Sequence, residues 1–168
     1  GMVDAVTMRI CDVITAFPSI LLAMVVVAVI GPGTYNIIAA LGLLFVPSFA
    51  RLVRGEFLKY RDRDFVRAAR LAGVPAWRII FVHILPNIWP VLLSGLTIGF
   101  NNAVLSEASM SYLGIGVRSP DVSLGYMLSE SQSYMSSAPW YVLCTGVTIV
   151  LLILGFSLVG EGLQQEGR

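Results

Sequence analysis

Apolar and polar positions divide the chain into four long apolar stretches, separated by one strongly basic insert and one serine-rich connection. A helix needs roughly 20 mainly apolar residues to cross a bilayer. Residues 13–30 meet that length and close on Gly31-Pro32-Gly33, a turn that a helix does not readily continue through. Residues 35–53 form the second stretch, with Pro47 as a kink and Arg51 near the end. The third runs over 87–106, with Asn87 as N-cap after Pro86 and Pro90 in the first turn. The fourth, 139–160, contains no charged residue. Backbone groups in lipid must bond within their own segment, so these stretches are helices, and none alternates in polarity as a barrel strand would. The predicted class is all-α: a polytopic transmembrane bundle of about four spanning helices.

The polar insert over 51–78 carries Arg51, Arg54, Lys59, Arg61, Arg63, Arg67, Arg70 and Arg78, eight of the 11 basic residues. Alternate crossings place Arg9 and Arg168 on the same side and leave only Arg118 on the other. The positive-inside bias therefore puts the insert in the cytoplasm and residues 114–138 outside. Locally, Asp62 or Asp64 starts a helix that Gly73 stops, and Pro75 opens a second helix from Ala76 to about Leu85, ended by Pro86. The segment over about 54–86 is thus read as a helix-turn-helix elbow. Its Phe65, Ala68, Ala69, Leu71 and Ala72 make a weakly apolar surface between Arg67 and Arg70, suited to docking on another protein. The plainer alternative is a topology anchor that touches anionic membrane lipid.

Composition narrows the function. With 57% hydrophobic and 12% charged residues, the chain has about half the charge of a soluble domain, and a net charge of +1 argues against a nucleic-acid partner. Cys11, Cys144 and the single His83 have no metal-ligand spacing. A membrane-embedded enzyme would need a nucleophile with its base, and the lone histidine leaves most such schemes without one. His83 reads as a packed or hydrogen-bonded residue at the membrane edge and Cys144 as a small packing residue. In the third span Ser94, Thr97, Asn101, Asn102 and Ser106 share one broad face at about 100° per residue. That face either bonds to neighbouring helices or lines a polar, uncharged pathway. Glu107 falls near the outer interface, where a structural or gating role is expected rather than ligand binding.

Arg67-Ala68-Ala69, three residues, Gly73, nine residues, then His83-Ile84-Leu85-Pro86 resembles the EAA signature of bacterial ABC importer permeases. Further motifs in the same order are Asp12-Val13-Ile14-Thr15-Ala16-Phe17-Pro18-Ser19, Ser111-Tyr112-Leu113-Gly114-Ile115-Gly116 and Gly160-Glu161-Gly162-Leu163. Together they resemble the C-type permease of the dipeptide, oligopeptide and nickel branch over essentially all of residues 1–168. Arg67 stands where the signature has glutamate, and His83 where the generic form has isoleucine. Family members have about two further helices before the first seen here, so the chain resembles a fragment of a permease domain. The resemblance implies a multi-pass subunit of the bacterial cytoplasmic (inner) membrane, with peptide cargo and nickel or another small solute as the alternative. It implies that the elbow residues Phe65, Arg67, Ala68, Ala69, Gly73, Pro75, Leu85 and Pro86 dock on a separate ATP-binding cassette ATPase. A second permease subunit and an extracytoplasmic solute-binding protein complete the implied assembly. No phosphate-binding loop occurs, so ATP and Mg are expected on the ATPase, with no catalytic residue or bound cofactor on this chain. A secondary carrier or channel is the competing class, but the paired broken helices or intramembrane charge chains that would mark it are not clear.

Overall fold

A computed structural model describes residues 1–166, with side chains described to residue 163. These residues form helices and turns with no strand. In chain order the helices are α1 (Met2–Thr15), α2 (Ser19–Ile30), α3 (Thr34–Arg61), α4 (Asp64–Leu71), α5 (Ala76–Arg78), a π-helical stretch (Ile79–Ile84), α6 (Leu85–Tyr112), α7 (Leu124–Ser131), a 3-10 turn (Gln132–Tyr134) and α8 (Pro139–Glu166). Three helices are long and apolar enough to cross a membrane: Thr34–Arg61, Ala76–Tyr112 and Pro139–Leu163. A fourth crossing results if the bent pair α1 and α2 forms one span. Arg168 lies outside the described residues.

The first expected span is not one helix. Between α1 and α2 the chain turns by 86°. Pro18 is the N-cap of α2 at φ −56° and ψ 124°. Its ring disfavours helical geometry at Phe17, so the helix must end and restart. The 12 residues of α2 rise only about 18 Å. α1 instead crosses the basic end of α3, where Asp4 pairs with Arg54 at 2.6 Å and Asp12 with Arg51 at 3.0 Å. Eight positions on α1 thereby match three on α3, a steep crossing.

The second and third spans run past their expected ends. α3 passes through buried Pro47 and continues to Arg61. Pro86 does not end the elbow, and Asn87 does not cap a new helix, because Ala76–Tyr112 is continuous. The π-helical stretch supplies the reason: Leu85 N–H bonds to Ile80 O, five residues back, and the widened turn accommodates a proline ring that would collide with the carbonyl of a regular turn. Asn87 Nδ2 donates to His83 O at 2.6 Å inside this helix. The expected serine-rich connection contains α7, whose N-cap Ser123 Oγ accepts from Tyr126 N–H at 3.0 Å. A Cβ at Gly125 would lie 2.5 Å from Ala108 Cα, so α7 rests directly on the α6 backbone.

Two apolar clusters hold these elements. Ala23 and Val27 of α2 pack with Ile37, Ala40, Leu41 and Leu44 of α3 and with Met110 of α6. At the basic end Val66, Ile79, Ile84 and Ile88 pack together, with Phe57, Tyr60, Ala69 and Val74 around them. The first cluster fixes the spans against one another. The second fixes the elbow on the spans.

Candidate functional site

The elbow is built on a glycine that only its backbone requires. Gly73 has φ +76°, and no atom lies within 4 Å of where its Cβ would be. Val74 N–H bonds to Ala69 O at 3.1 Å and Gly73 N–H to Arg70 O at 3.0 Å, the paired bonds of a Schellman stop. Asp64 is the first residue of α4, but the N-cap is Arg63 without a side-chain bond. Asp62, the other expected starter, pairs with Arg61 instead. Pro75 is the extended N-cap of α5.

These contacts separate the residues expected on one docking face. Ala69 turns inward onto the cluster centred on Val66, which is 0% exposed. Phe65, Arg67, Ala68 and Ala72 are exposed, and Leu71 protrudes at 91% exposure. Leu85 packs on the elbow cluster, and Pro86 is exposed beside the π-helical stretch. Half-buried His83 stands within that stretch. The outward surface is therefore a short helix with a bare leucine beside Ala68 and Ala72 and an arginine, Arg67, that makes no ion pair among the described residues, held from the opposite face by Val66 and Ala69.

The polar face expected on the third span splits in two. Asn101 Nδ2 donates to Ser157 Oγ of α8 at 2.8 Å, and Thr97 lies where a Cβ on Gly160 would be. Phe100 stacks on Phe156 of α8 with ring centroids 3.8 Å apart. Ser94 is half-buried on the same side by helical projection. Asn102 and Ser106 turn the other way, towards α2 and α3. With Ser19, Ser48 and Ser109 they supply the polar lining of a cleft of about 380 Å³, whose other walls include Leu41, Leu44 and Phe45. Among the described residues, Ser19, Ser48, Asn102 and Ser106 have no side-chain hydrogen bond within the chain. Polar groups left bare at membrane depth are costly unless water, a partner or a passing solute meets them.

Three polar lining residues, Ser19, Ser48 and Ser109, were missed by sequence reasoning. Asn102, Ser106 and Ser109 repeat at i, i+4 and i+7, a narrower stripe than the broad face and a signal that would have singled out this cleft. Ser48 shares a stripe with Leu41, Leu44 and Phe45, but a lone serine among apolar residues carries little signal. Ser19 enters only because the chain breaks at Pro18.

Glu107 is half-buried and accepts from Ser111 Oγ at 2.6 Å. Ser111 Oγ in turn accepts from Val117 N–H at 3.0 Å, which ties the end of α6 to the turn beyond it. That turn starts at Gly114, whose φ is +77°. Thr34 Oγ1 donates to Asp121, joining the α2–α3 turn to the same connection. Cys11 is buried, whereas Cys144 is exposed on α8.

The sequence profile of binding-protein-dependent transport system inner membrane components matches residues 1–166. Among similar proteins is the dipeptide transport system permease protein DppC of Alkalihalophilus pseudofirmus, 43% identical over 162 residues, covering 96% of this chain and 53% of that protein. The DppC of Haemophilus influenzae is 37% identical over 98% of this chain and 56% of its own length. The glutathione transport system permease protein GsiD of Salmonella typhimurium is 42% identical over 96% of this chain and 53% of its own length. The chain spans about half the length of these curated relatives. The match over nearly every described residue, with the elbow and the spanning helices in their expected order, means that the chain belongs to the family of binding-protein-dependent transport system inner membrane components.

Proposed function

We propose that this chain is the peptide-translocating permease portion of an ATP-driven importer. As a member of an inner-membrane family with three or four helices of spanning length, it is a multi-pass inner-membrane protein. The concentration of arginine at the elbow orients it with the elbow in the cytoplasm and α7 outside. The elbow docks through Arg67, Ala68, Leu71 and Ala72 on an ATPase subunit that binds ATP and Mg and carries out hydrolysis, while this chain is non-catalytic. A second permease subunit closes the α2–α3–α6 cleft into a pathway, and an external binding protein delivers cargo. The names of the relatives, dipeptide and glutathione permeases, favour short peptides over nickel.

The observation that carries this reading is Leu71, a large apolar side chain 91% exposed at the end of a helix that is anchored on its other face by buried Val66 and by Ala69. A rigid, exposed apolar tip suits insertion into a partner cleft and can transmit that partner's movement to α6. The test places a photo-crosslinking residue at Leu71 in the full-length permease, with Ser133 as the position at the opposite end. Crosslinking of an ATP-binding cassette subunit from Leu71 and not from Ser133 is expected. The same subunit captured from Ser133, or from neither position in an assembled complex, would overturn the assignment.

A further inference from the structure

The polar cleft continues towards the elbow. A second cleft of about 260 Å³ shares Phe45, Ser48 and Asn102 with the first, and its remaining walls are Phe49, Leu52, Gly95, Ile98 and Gly99. Counted at 1.5 Å per residue, Ser109 lies about 5 Å from the outer end of α6, Ser48 about 21 Å from the outer end of α3, and Leu52 about 27 Å from it. The two clefts together follow the α3–α6 seam for roughly 22 Å, about three quarters of the thickness of a bilayer core. Their chemistry changes along the way: hydroxyls and an amide line the outer part, and apolar side chains fill the inner part.

The inner part is narrowed at two glycines. A Cβ on Gly95 would collide with the Leu52 side chain, and one on Gly99 would come within 3.0 Å of the Phe49 ring. Leu52 and Phe49 are thus seated in notches that exist because α6 has no side chain there. Both are half-buried, so each keeps an open side into which it can swing. A short apolar constriction excludes water and polar solutes without any charge, and it reopens when its side chains move by a few ångströms.

We propose that Phe49 and Leu52 of α3, seated on Gly99 and Gly95 of α6, form the inner gate of the cargo pathway. This rests on reading the α3–α6 cleft as that pathway. α6 is continuous with the elbow through the π-helical stretch, so a displacement at the elbow moves the glycine notches relative to α3. A rotation or shift of α6 against α3 would carry Gly99 from beneath the Phe49 ring and change the room the ring has.

The test uses the full-length permease assembled with its partner subunits, with Cys11 and Cys144 replaced by alanine and one reporter, Ser106→Cys, in the polar cleft. An impermeant thiol reagent is applied to intact cells or to inverted vesicles. Reaction from the outer face is expected with or without the gate. Reaction from the elbow side is expected to be slow with Phe49 and Leu52 present and to rise on the order of tenfold in Phe49→Ala/Leu52→Ala, as water enters the constriction. If the double variant fails to assemble, Gly95→Ala is scored in its place, because its Cβ would displace the Leu52 side chain without removing apolar surface. No reaction from either face would overturn the pathway reading itself. Outer-face reaction with an unchanged elbow-side rate in the variants would overturn the gate alone.

Discussion

Gly73 separates two roles that a turn glycine can have, backbone geometry and close approach. At φ +76° an L residue pays a left-handed penalty of about 1–2 kcal/mol, and open space around the position removes any steric term from the chain itself. Gly73→Ala should therefore weaken the elbow turn by a factor of roughly 5–30. Gly73→Asn should weaken it much less, because asparagine tolerates this conformation through local hydrogen bonds. Exchange of the Val74 and Gly73 amide protons, which close the Schellman stop, reports the turn directly in the purified permease. ATP-dependent uptake in the reconstituted complex reports its use. The expected order of both readouts is glycine, then asparagine, then alanine, with Gly73→Leu at or below alanine. If Asn and Leu abolish uptake equally while the turn stays protected, the glycine is needed for partner approach and the backbone argument is refuted.

Three further outcomes follow from the packing. Ser111→Ala removes the acceptor of the buried Val117 N–H and should cost about 1–3 kcal/mol, read as a lowered Tm in detergent, with an unchanged Tm contradicting it. Gly125→Val places methyl groups on the α6 backbone at Ala108 and should expose the segment between α7 and α8 to proteolysis, whereas wild-type cleavage would mean that α7 is not seated there. Cysteines at Asn102, Ser106 and Ser109 should react with a small water-soluble thiol reagent in the assembled complex faster than cysteines at Thr97 and Asn101, which face α8. Equal rates would return the polar face to a packing role.

The spans and the elbow were legible because their signals are local. Apolar runs of sufficient length, eight clustered basic residues and Gly73 after an alanine-rich turn each require only neighbours in sequence. Prolines were legible only in part. Pro18 breaks its helix and Pro86 does not, and the difference lies in the π-helical register of Ile79–Ile84, which no composition or spacing rule displays. The direction of the polar residues on α6 depends on where α3 and α8 sit around it. A helical projection groups Asn101 with Asn102, but adjacent residues are about 100° apart, enough to send one to Ser157 and the other to the cleft. Ala69 shows the same limit in the elbow: its place in the motif suggested docking, whereas its side chain closes the Val66 cluster.

The central claim joins this membrane bundle to ATP-driven import through the exposed tip of α4. Leu71→Asp tests it with little risk to folding, because the side chain is already 91% exposed. Full-length permease, its partner permease, the ATPase and the binding protein are reconstituted in proteoliposomes, and uptake of a radiolabelled dipeptide is measured with and without ATP. The account predicts uptake that requires ATP and the binding protein in the wild type, and loss of both uptake and ATPase association in Leu71→Asp while the two permease subunits remain paired. Uptake that proceeds without ATP, or full ATP-driven uptake by Leu71→Asp, would contradict it.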